Sequence, residues 1–140
     1  MNNTATYHKA IKAATSKLTD IRKFVAKHAR EHGFNEKQIS DIQLAVDEAC
    51  TNIIKHAYQF DQTKNFRIEL EFDGDQLSIT LTDHGSGFDP NRYQRPDLKK
   101  QIEKKKRGGM GIFLIKNLMD DVSYSSNNNT NVLRMSKIRS

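Results

Sequence analysis

The chain has 140 residues, 36% of them hydrophobic and 29% charged, with a formal net charge of +6. That length suits one domain, residues 1–140, able to bury a core without disulfides or metal. The single cysteine, Cys50, excludes an internal disulfide and a cysteine-based zinc cluster, and without an apolar signal segment or a run near the ~20 residues that span a bilayer, a cytoplasmic chain with no membrane contact is expected.

In chain order, a short first strand is expected within Thr4–His8. Leu18, Ile21, Val25, His28 and Ala29 then recur at helical spacing, and Gly33 follows as a C-cap. Asn35 with Gln38 three residues on is a capping-box start for a second helix. Its apolar stripe of Ile39, Ile42, Val46, Ala49, Ile53 and Ala57 carries it to about Tyr58, and Cys50 within it reads as a small buried hydrophobe. Glu48 and Asn52 are four apart and share a face of this helix. They are either an ordinary surface pair or a carboxylate and amide that orient a hydroxyl and hold a hydrated Mg²⁺.

After the helix the period drops to two. Phe66, Ile68, Leu70 and Phe72 alternate with charged residues; a DGD turn follows, and Leu77, Ile79 and Leu81 alternate with Ser and Thr. This predicts an antiparallel hairpin with one buried face. Asp83 continues the odd-numbered row and is aimed at the core, where an unpaired carboxylate is costly. It either serves a ligand, with Gly85 and Gly87 allowing close approach, or caps the turn that those glycines make.

Residues 89–107 are polar and basic, with Pro90 and Pro96, and read as a long loop of the kind that is often functional. Lys99 to Arg107 holds six positive residues and one acid, +5, leaving about +1 for the rest of the chain (6 − 5). A surface that tracks nucleic acid would spread its charge, so local electrostatics is the better reading and no direct nucleic-acid contact is expected. Gly108, Gly109 and Gly111 then precede an apolar helix from about Gly111 to Met119. Its bare N-terminus is either an anion site or the end of a solvated loop. Neither a Walker A string nor G-x-G-x-x-G occurs. Two last strands near Val122–Tyr124 and Val132–Ile138 flank SSNNNTN at 125–131, read as a turn. Together these elements predict an α+β two-layer sandwich, a mostly antiparallel mixed sheet covered on one face by helices.

In order, LAVDEACTNIIKHAY (44–58), DHGSGFDP (83–90) and RGGMGIFLIKNLMDDVSY (107–124) resemble the three boxes of Bergerat-fold, histidine-kinase-like ATPases. More narrowly, E-A-x-x-N-x-x-x-H-A with a short lid is similar to the bacterial anti-sigma factor serine-protein kinases. The resemblance implies ATP and Mg²⁺ as cofactors. By it Asp83 receives the adenine amino group, Gly85 and Gly87 pass beneath the base, and Asn52 coordinates Mg²⁺. Glu48 is the implied general base toward a substrate serine. Gly109 and Gly111, with Gly108 and Met110 beside them, face the phosphates, and Arg107 approaches the terminal one at the end of a lid at about 89–107. His56 matches the pattern and is expected to pack against the helix. The implied function is an anti-sigma factor kinase that sequesters a sigma factor and phosphorylates an anti-sigma factor antagonist, as a homodimer. A kinase-inactive, ATP-dependent binding module is the alternative, and Glu48 favours the kinase.

Overall fold

A computed structural model describes residues 4–85 and 111–140. Strand β1 (Thr4–Lys12) pairs with β2 (Asn65–Asp73) over nine residues, running past the Thr4–His8 segment that the sequence marks. The pattern is faint because β1 is an edge strand, with Ile11 its sole buried residue. Helix α1 (Leu18–Glu31) buries Ile21, Val25, Ala26 and Ala29, and Gly33 at φ +88° ends it in the left-handed position that favours glycine.

Helix α2 (Glu36–Asn52) starts with the expected capping box: Asn35 Oδ1 accepts from the Gln38 amide at 2.8 Å, and Gln38 Oε1 accepts from the Asn35 amide at 3.3 Å. It does not run unchanged to Tyr58. From Ile53 to Ala57 the backbone widens into a π-helical turn, closed by the Tyr58 amide on the Ile53 carbonyl at 2.9 Å. Apolar periodicity cannot separate a π turn from a continuing α-helix, since both bury Ile53, Ile54 and Ala57. Gln59 (φ 49°) and Phe60 (φ 63°) then turn the chain away in left-handed conformations.

The hairpin of β2 and β3 (Gln76–Asp83) turns at Gly74, whose φ of +58° suits the first position of a two-residue turn. Helix α3 (Gly111–Leu118) leads into β4 (Asp121–Asn127) and β5 (Thr130–Ile138). The β4–β5 turn is only Asn128 and Asn129, at φ 51° and 65°. Asparagine tolerates that geometry, so Ser125–Asn127 and Thr130–Asn131 join the ladder instead of forming the wider turn expected at 125–131.

The sheet order is β1-β2-β3-β5-β4, and every pairing among the described strands is antiparallel, so the sheet is not the mixed one expected. Among the described residues three helices cover one face, α2 packing against both α1 and α3, which gives the expected α+β two-layer sandwich. Ile68, Leu70, Ile79 and Leu81 meet Ile42, Val46 and Ile54 between the layers, all at most 1% exposed. Truncating Leu70 to Ala would cost about 2–5 kcal/mol. Among the described residues, no helix is long and apolar enough to cross a membrane.

Candidate functional site

Among the described residues, three polar or charged side chains are buried: Asn52, Asp83 and Asn131. All three lie where the end of α2 faces the ends of β3 and β5. Buried polar groups are the informative ones, because each needs a partner.

Asp83 closes the buried row of Leu77, Ile79 and Leu81 and is 5% exposed. Its Oδ1 accepts from the Gly85 amide at 2.9 Å, so it does cap its own turn, and from Asn131 Nδ2 at 2.9 Å. Asn131 is the cross-strand partner of Asp83 and also donates to the Gly85 carbonyl at 3.2 Å. Ser126 donates to Asn131 Oδ1 at 2.7 Å, which fixes the amide so that its NH₂ group points at Asp83 and Gly85. Gly85 is required by contact: a Cβ there would stand 2.3 Å from the Ala57 carbonyl oxygen.

Asp83 and Asn52 line one pocket of about 330 Å³, walled by Ala49, Ile53, Ala57 and Leu133. A larger open depression of about 550 Å³ beside Ser78, Ser123 and Arg134 has no buried polar residue among those that line it. The smaller pocket is the better built one. Apolar walls with a single deep carboxylate fit a flat heteroaromatic ring that carries an amino group, and adenine is such a ring.

Glu48 stands one turn before Asn52 on α2 and is half-buried, outside the described lining of the pocket. Partial burial and neighbouring Asp47 raise its pKa above the ordinary glutamate value, against an opposing pull from Lys55. Cys50 is fully buried, and its thiol is pushed far above the ordinary range by burial and by Asp47, so it is an inert core residue as expected. His56, expected to pack against the helix, is an exposed residue of the π turn. Gly111 is the first residue of α3. Gly87, Arg107, Gly108, Gly109 and Met110, with the lid at about 89–107, lie outside the described residues.

The described residues hold no group of three or more His, Cys, Asp or Glu able to bind a metal. Mg²⁺ needs no such cage, since it keeps several waters and takes phosphate oxygens with one or two protein ligands. The Asn52 side-chain oxygen fits that donor set.

Sequence reasoning missed Asn131 and Tyr58. The signal for Asn131 was available: buried Met135 and Leu133 make an odd-numbered row that continues to 131, the same argument that aimed Asp83 inward. The run of asparagines hid it. For Tyr58, which ties the Asp83 turn to α2, the spacing held no comparable sign.

Residues 11–137 match the family described as "Histidine kinase-like ATPase domain". The serine-protein kinase RsbW of Bacillus cereus is 35% identical over 127 residues, covering 88% of this chain and 79% of the relative. The protein of the same name from Halalkalibacterium halodurans is 36% identical over 121 residues, covering 84% and 73%. A crystal structure of the RsbU and RsbW domains of a Mycobacterium tuberculosis protein is similar in fold, with a TM-score of 0.70 at 14% identity, over 96% of this chain and 32% of that one. The SiaB-SiaC complex from Pseudomonas aeruginosa gives a TM-score of 0.70 at 13% identity, over 93% and 88%.

Proposed function

The chain belongs to the histidine kinase-like ATPase family and, within it, to the RsbW serine-protein kinases, and from that premise we propose how its residues carry out the transfer. It is an ATP-using serine-protein kinase. Asp83, held by Asn131 and the Gly85 amide, accepts a hydrogen bond from the adenine amino group, and Ala49, Ile53, Ala57 and Leu133 enclose the base. Asn52, at the phosphate end of the same pocket, offers its oxygen to Mg²⁺. When bound, ATP supplies the phosphoryl group and Mg²⁺ neutralises its charge. Glu48 takes the proton of the attacking serine hydroxyl, a role favoured by burial and Asp47, which raise its proton affinity above that of a free glutamate. By the family resemblance, Gly87 is assigned a role beneath the base. Gly108, Gly109, Met110 and the N-terminus of α3 at Gly111 contribute backbone N–H groups toward the phosphates, and Arg107 reads the terminal one.

The serine belongs to an anti-sigma factor antagonist, and the same protein holds a sigma factor when that antagonist is unavailable. It works in the cytoplasm, as a homodimer. The observation that carries the reading is the convergence of Asn52 and Asp83, two of the three buried polar residues among those described, on one apolar pocket with Glu48 one helical turn away. Incubation with γ-labelled ATP and candidate antagonists encoded in the same operon tests it. Label appearing on an antagonist serine is the expected result, and transfer to none of them contradicts it.

A further inference from the structure

We propose that Tyr58 is a positioning residue for the base end of this site: its hydroxyl sets the Asp83–Gly85 turn against the π-helical turn that continues from Asn52. The proposal rests on the reading of Asp83 as the adenine acceptor.

Tyr58 is the residue on which the π turn closes, and it is 6% exposed. Its hydroxyl donates to the Asn65 carbonyl at 2.5 Å and accepts from the His84 amide at 2.9 Å. One oxygen thus bridges the start of β2 and the amide that lies between Asp83 and Gly85. The next residue of the turn, Gly85, rests on Ala57 so closely that a Cβ would stand 2.3 Å from the Ala57 oxygen. Consecutive residues 57 and 58 therefore grip consecutive residues 85 and 84, and this pair of contacts fixes how far Asp83 stands from the end of α2. Packing does not explain the hydroxyl, since phenylalanine would fill the same space. It would leave a backbone N–H and a carbonyl without their present partner. Burial and the charge of Asp83 raise the phenol pKa, against the opposing His84 amide, so the group stays a donor at neutral pH.

A small shift of Asp83 weakens a directional hydrogen bond more than it weakens apolar contact with a ring. Loss of the hydroxyl should therefore be felt in discrimination between bases. The experiment measures ADP and inosine diphosphate affinities, the latter carrying an oxo group in place of the amino group, for wild type, Tyr58→Phe and Asp83→Asn. Wild type should prefer ADP, and Tyr58→Phe should reduce that preference by a factor on the order of 10, mainly through weaker ADP binding. A variant that melts earlier but keeps the wild-type preference overturns the proposal and leaves Tyr58 a stability residue alone. If Asp83→Asn also keeps the preference, the adenine assignment itself is wrong and this proposal falls with it. If Asp83→Asn loses the preference while Tyr58→Phe retains it, only the Tyr58 proposal fails. Should Tyr58→Phe not fold, amide hydrogen exchange in the wild-type protein decides: the His84 amide should be protected without nucleotide, and exchange at the rate of an open loop overturns the proposal.

Discussion

Asp83 and Asn131 face each other across the β3–β5 pair, and the Asn131 amide donates to the Asp83 carboxylate at 2.9 Å. Ser126 occupies the other end of that amide at 2.7 Å, so the carboxylate is held from behind by a group that cannot flip without losing a bond. A directional acceptor at the bottom of an apolar pocket works only if it is fixed in this way.

Asn131→Ala removes that support. It leaves buried Asp83 Oδ1 and the Ser126 hydroxyl each one partner short, for a loss of about 1–3 kcal/mol in stability. ADP binding should weaken as well. Urea denaturation and titration calorimetry read the two effects separately, and an unchanged ADP affinity would mean that Asp83 holds its place without Asn131.

Asp83→Asn replaces the acceptor by an amide set against the amide of Asn131. Adenine nucleotides should bind about 1–3 kcal/mol more weakly, the cost of a lost buried acceptor. Calorimetry with ADP showing wild-type affinity would remove the adenine assignment.

Gly85→Ala and Gly74→Ala separate crowding at the site from backbone strain elsewhere. At Gly85 the added methyl meets the Ala57 backbone at 2.3 Å, so the turn carrying Asp83 must move. Such overpacking costs roughly 1–3 kcal/mol, and nucleotide affinity should fall with it. At Gly74 nothing lies within 4 Å, and the penalty is that of a left-handed residue at φ +58°, about 1–2 kcal/mol of stability. ADP should bind the Gly74 variant normally; equal weakening in both would point to a global effect.

The pH dependence follows from Glu48. A base acts in its ionised form, and burial with Asp47 nearby raises its pKa above the ordinary value. Phosphotransfer should therefore decline on acidification at a higher pH than a free glutamate, at ~4.3, would give. For folding, a raised carboxylate pKa means that the native state favours the protonated form. The resulting stabilisation is present below the unfolded value and is lost as pH rises through the folded one. At neutral pH, Glu48→Gln should then leave the melting temperature equal to or above that of wild type, and the difference should shrink on acidification as Glu48 of the wild type takes up its proton. A clear drop in melting temperature at pH 7 would mean that the ionised carboxylate has a structural partner.

Much of the fold was legible because it rests on periodicity. The alternation of Phe66 to Phe72 and Leu77 to Leu81, the Asn35–Gln38 capping box and the stripe of α2 each specify an element locally. What failed to show were features without local period. β1 is an edge strand with one buried residue, the π turn at 53–57 buries the same apolar positions as an α-helix would, and the Asn128–Asn129 turn needed tolerance of positive φ that composition alone does not reveal. In the site, Asp83 was legible from the parity of its strand. Asn131 obeyed the same parity but sat in a polar run that read as a turn. Tyr58 acts through two backbone groups distant in sequence, at 65 and 84, and such a contact leaves no mark on spacing.

The central claim is that Glu48 acts on the substrate serine beside a nucleotide held by Asn52 and Asp83. Single-turnover transfer from γ-labelled ATP to the antagonist, for wild type and Glu48→Gln with ATP affinity measured in parallel, tests it most directly. The account predicts ATP affinity near that of wild type and transfer slowed by a factor of ~10²–10⁴, the usual loss when a general base is removed. Transfer by Glu48→Gln at the wild-type rate would contradict it.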